Sequence, residues 1–83
     1  MDYINAVKQL RRAHTQVKVG ALYYHYKNPR KYYRVKDLAI SEDDHKIIVV
    51  YSSYGNSDEI TWVRPLESWL EYVNETPRFS RLE

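Results

Sequence analysis

Apolar side chains recur along this chain with two different periods. Ile4, Val7 and Leu10, with Tyr3 and Ala6 beside them, fall on one helical face, while Lys8, Arg11 and Arg12 fall on the other. The spacing predicts an amphipathic helix over residues 2–14, with Asp2 as its N-cap and cations near its C-terminal end, where the helix dipole favours them. The apolar stripe is narrow, so this helix needs a partner surface, either the rest of the chain or a second copy.

Beyond His14–Val19, a linker, the period shortens to two. Residues Gly20–Lys27 and Lys31–Ile40 read as strands joined by turn chemistry at Asn28-Pro29-Arg30, and Lys46–Ser52 is a continuous β-branched strand. Polar turns at Ser41–Asp44 and Tyr54–Asp58 punctuate the series, and Glu59–Arg64 forms a further strand. After Pro65 the helical period returns in Leu66, Trp69, Leu70 and Val73. Asn74-Glu75-Thr76-Pro77 ends it, and Arg78-Phe79-Ser80 reads as a last edge strand. Short strands joined by tight turns imply a single, mostly β domain with two short helices, built as a small closed or half-closed antiparallel barrel behind the N-terminal helix.

Composition narrows this further. The 83 residues fit one domain with a thin core, and no cysteine is present to staple it. Nine tyrosines, two tryptophans and one phenylalanine supply most of the large side chains, and packing is the ordinary fate of such residues. Trp69 reads as a core plug, and packing is also favoured for Trp62. The N-terminus lacks the pattern of a signal peptide, and Ile47–Tyr51, the longest apolar run, is too short to span a membrane as a helix. These features fit a cytoplasmic protein with no membrane partner.

Net charge is only +2, but it is unevenly spread. Nine Lys or Arg and no acid lie between Tyr3 and Lys36, whereas ten acids and four bases lie between Asp37 and Glu83. The halves can neutralise each other across a shared sheet, which is the favoured expectation, or can pair between copies. Alternatively, the basic half can form a face for nucleic acid or another polyanion.

The blocks Tyr23-Tyr24-His25-Tyr26-Lys27, Val49-Val50-Tyr51, Trp62-Val63-Arg64-Pro65-Leu66-Glu67 and Pro77-Arg78-Phe79 occur in an order and spacing that resembles the bacterial domain of unknown function 1653 family. The resemblance runs from about Val19 to Leu82 and implies an SH3-like barrel over residues 19–82 and no known activity. Asn28 stands where the family usually has glycine. Ser41-Glu42-Asp43-Asp44 replaces the family's histidine-serine-glutamate-threonine turn, and Tyr54-Gly55 comes one residue early.

Candidate chemistry is sparse. His14, His25 and His45 have no metal-ligand spacing, and no cofactor is implied. His25 is the one candidate for acid–base work, and an enzyme would require a carboxylate such as Glu67 facing it in a pocket; a structural role is the ordinary outcome. A binding surface is better supported. Tyr24, His25, Tyr26, Lys27, Arg34, Tyr54, Trp62 and Arg64 offer aromatic faces beside cations, a combination that suits RNA, single-stranded DNA or an extended peptide. Arg30, Lys31, Arg34 and Lys36, interleaved with Tyr32 and Tyr33, form a second such cluster or a solvated edge. The alternative class is a protein-interaction or self-assembly domain, with the helix as a dimer element.

Overall fold

Strands form where β-branched and aromatic residues alternate with polar ones, and here they form an antiparallel meander. The computed structural model describes residues 3–55 and 60–82. A helix, α1 (Tyr3–Gln16), precedes β1 (Leu22–His25), β2 (Asn28–Ile40), β3 (Ile47–Ser53) and β4 (Thr61–Pro65). A single helical turn, α2 (Leu66–Trp69), follows, then a ribbon of β5 (Tyr72–Val73) and β6 (Thr76–Pro77), and finally β7 (Phe79–Arg81). The main sheet has the order β4-β3-β2-β1-β7. Among the described residues no helix is long and apolar enough to cross a membrane.

The long strand β2 buries both Val35 and Leu38, which a strict period of two would send to opposite faces. The register against β3 resolves this. Val35 pairs with Tyr51 and Asp37 with Val50, so Lys36 is the extra residue of a bulge that resets the alternation. The carboxylate of Asp37 accepts the N–H of Leu38 at 2.8 Å just beyond it. One face of the sheet then presents Val35, Leu38, Ile47, Val49 and Tyr51 to the core.

Trp69 fills the centre of that face. Its indole stacks on Phe79 at 3.8 Å between centroids and meets Tyr51 and Tyr23 edge-on at 5.0 and 5.4 Å. Helix α1 covers the remainder, but not with the face its first turns suggest. Ala6 and Ala13 are buried and Leu10 packs beside them, while Tyr3 and Ile4 are 78% and 65% exposed. The small alanines let the backbone approach the sheet, and the docked row runs on to Val17, three residues past the expected end. The proposed N-cap, Asp2, lies outside the described residues.

Three other expectations are corrected. The closed barrel is not formed, because the sheet ends at β4 and β7 without a ladder between them. The edges do approach through side chains, with the Arg64 guanidinium carbon 5.3 Å from the centre of the Phe79 ring. Pro65 and α2 turn the chain away from β4, and β7 returns to pair with β1 instead. Next, Asn28-Pro29-Arg30 belongs to β2 rather than to the turn, which is made by Tyr26-Lys27. Tyr24 pairs with Tyr32 and His25 with Asn28, so Pro29-Arg30-Lys31 bows out of the ladder, where a proline costs no hydrogen bond. Last, the helix after Pro65 stops at Trp69. Asn74 and Glu75 both adopt positive φ, at 51° and 66°, the geometry of a tight hairpin turn, which makes Tyr72–Pro77 a ribbon.

Candidate nucleic-acid interface

Alternation along β1 and β2 divides the eight candidate residues between the two faces of the sheet and the hairpin turn. Tyr24 and Arg34 lie on the face turned away from the core, because Tyr24 pairs with Tyr32, and Arg34 pairs with Leu22 and Ser52. Tyr54 joins them as its N–H donates to the Tyr32 carbonyl at 2.9 Å. The Arg34 guanidinium lies 5.1 Å from the centre of the Tyr54 ring while donating to the Gly20 carbonyl at 2.6 Å. This arginine is therefore held over a ring that remains 50% exposed. Arg30, Lys31, Tyr32 and Tyr54 line a shallow hollow of about 440 Å³ beside it, floored by Asn28.

His25, Trp62 and Arg64 lie on the other side, at the open end of the core face. Trp62 pairs with Tyr51 and Arg64 with Val49, both core residues. Even so, Trp62 is 49% exposed, because no strand flanks β4 to cover it; the expectation that it packs is corrected here. Arg64 is committed to structure, covering Phe79 and donating to the Ser68 hydroxyl at 3.1 Å. Glu67 pairs with Lys46 at 3.4 Å.

His25 packs edge-on against Phe79 at 5.0 Å and beside Tyr26 at 4.8 Å, and Lys27 lies over Tyr26. The Lys27 N–H donates to His25 Nδ1 at 3.1 Å, which leaves the ring proton on Nε2. Partial burial, then Arg64, Arg78 and Lys27 in turn, push the His25 pKa below its ordinary 6.5. A lowered histidine pKa means that the fold prefers the neutral ring. The stability it contributes is complete above the unfolded value and is lost as pH falls through the folded one. The thermal midpoint should therefore drop on acidification from about pH 7 to about pH 5. His25→Gln should flatten part of that slope, and an unchanged slope would remove His25 from the account.

The two charge halves share one sheet through the β2–β3 pairing, but among the described residues no ion pair joins them. Among the described residues the ion pairs are Lys46–Glu67 and Arg78–Glu71, both within the acidic C-terminal half. Among the described residues the cations of residues 8–36 form none; Lys27, Arg30 and Lys31 gather near the β1–β2 turn, and Arg34 lies further along β2, over Tyr54.

Phe79 was not singled out as a site residue, yet it is where most of the core-face aromatics and Arg64 meet. Only its place in the Pro77-Arg78-Phe79 block gave a signal. A family model described as "Protein of unknown function (DUF1653)" matches residues 21–81. No curated protein and no solved structure matches the chain.

Proposed function

The chain belongs to the DUF1653 family of proteins of unknown function, and from its own surface we propose a binding module for single-stranded nucleic acid, RNA or DNA. The observation that carries this reading is the group of cations along the β1–β2 hairpin, without ion pairs among the described residues, set beside the exposed Tyr32 and Tyr54. Lys27, Arg30, Lys31 and Arg34 would meet phosphates, and Tyr32 and Tyr54 would stack bases. Arg34 is already ordered over Tyr54, so little conformational entropy is lost when a strand binds there. The coiled five-strand sheet, on this reading, is an SH3-like barrel left open along β4 and β7. Amide NMR titration with short mixed-sequence RNA and DNA tests it. Shifts should cluster on residues 27–34 and Tyr54 and weaken with salt. Their absence at low and at near-physiological salt would sink the idea.

A second reading is self-association, favoured by the character of β4. This edge strand exposes Val63 at 66% and Trp62 on its opposite side, with none of the outward lysines that guard edges. Antiparallel pairing of β4 with its own copy about Val63 would set Trp62 opposite the partner's Arg64. Sedimentation should then give a dimer that Val63→Lys converts to monomer. A monomer at every concentration for the unaltered chain would dismiss it.

A further inference from the structure

A second hollow, away from the β1–β2 end, has the composition of a ligand site. A cleft of about 650 Å³ opens between the C-terminal end of α1 and the β5–β7 side of the sheet, within the size range of small-molecule sites. Tyr72 offers an exposed ring to it, and the buried Tyr23, Trp69 and Phe79 reach it only at their margins. His14 and Lys18 border it on one side and Arg81 on the other, and among the described residues no Asp or Glu lines it. The Lys18 N–H donates to the Tyr23 hydroxyl oxygen at 3.0 Å. That bond uses an oxygen lone pair and leaves the phenolic proton to be donated elsewhere. The carbonyls ending α1 contribute about half a negative charge, which the full charges of Lys18 and Arg81 outweigh. The matched family segment begins at residue 21. The cleft is therefore assembled where the preceding helix, with His14 and Lys18, meets the family domain.

We propose that this cleft binds a small molecule with a flat apolar body and one oxyanion, either a carboxylate or a phosphate monoester. The body lies against Tyr72, and the oxyanion meets Lys18 and Arg81 and accepts a hydrogen bond from the Tyr23 hydroxyl. A cationic ligand is disfavoured by Lys18 and Arg81. The site is independent of the nucleic-acid surface, since none of its residues lies on the β1–β2 hairpin tip.

Amide NMR titrations with phenyl phosphate, benzoate, inorganic phosphate and benzyl alcohol test the proposal. Saturable shifts at Lys18, Tyr23 and Arg81 are expected with phenyl phosphate or benzoate, and which of the two binds tighter identifies the oxyanion. Arg81→Glu, a change at an exposed side chain, should weaken that binding about tenfold or more. Arg30→Glu, on the part of β2 that bows out of the ladder, should leave it unchanged. Equal binding of benzyl alcohol would overturn the oxyanion, and equal binding of inorganic phosphate would overturn the flat body. No saturable shift with any of the four would overturn the site.

Discussion

Trp69→Ala is expected to cost about 3–5 kcal/mol, the range for deleting a large buried aromatic side chain. The indole is 2% exposed and touches three other rings, so its removal leaves a cavity bordered by Phe79, Tyr51 and Tyr23. Small domains have only about 5–15 kcal/mol in total, so the variant would keep little of its stability. Each kcal/mol corresponds to about 4–8 °C in a domain of this size, so the thermal midpoint should fall by about 12–40 °C in circular dichroism. Trp62→Ala is the internal control. That side chain is half exposed on an edge strand, and its loss should change stability by no more than about 0.5 kcal/mol. Equal effects for the two tryptophans would contradict the packing described for Trp69.

Charge reversal at the hairpin should have the next largest effect, this time on binding. If Lys27, Arg30, Lys31 and Arg34 each neutralise one phosphate of a single strand, the slope of log affinity against log salt should be about −2.8. Affinity would then fall about fifty-fold between about 50 and 200 mM salt. Three contacts of about 1 kcal/mol each vanish when Arg30, Lys31 and Arg34 all become Glu. The triple variant should therefore bind at least about a hundredfold more weakly and with a flatter salt dependence. Tyr54→Ala separates stacking from charge, since it should cost about 1–3 kcal/mol while leaving the salt slope intact. Fluorescence anisotropy with a labelled oligonucleotide reads all of these. A triple variant that binds as well as the unaltered chain would refute the interface.

The strands of the main sheet were legible in the sequence because alternation and turn residues are local signals. Ile47–Ser53 and Tyr33–Ile40 announce themselves by β-branched and aromatic spacing. The bulge at Lys36 was not legible, because its cause is the fit of β2 against β3, a relation between segments distant in sequence. The ribbon at Tyr72–Pro77 was hidden for a different reason. Leu66, Trp69, Leu70 and Val73 fit a helical period by coincidence, and the positive φ angles of Asn74 and Glu75 decide otherwise. The helix α1 was found, but its docking face was misjudged, since alanine gives a weak hydrophobic signal while allowing the closest approach. The candidate residues were assigned to strands that the structure contains, yet alternation could not say which side of the sheet faces the core. That division puts Arg34 and Tyr54 on one surface and His25 and Trp62 on the other.

The pairing of β7 with β1 sets the order in which this protein can be completed. Tyr23 faces Arg81 across that ladder, so the bond joins residues near the two ends of the sheet's sequence. A ribosome must deliver almost the whole domain before β1 gains its second neighbour. Phe79, the ring on which Trp69 stacks and over which Arg64 lies, arrives with the same strand. Until then β1 offers an unpaired edge and Trp69 an unstacked face, both targets for premature association. Folding is thus deferred to a late, non-local closure, slow compared with that of a helical bundle of equal length, and the nascent chain is most vulnerable just before its last strand emerges.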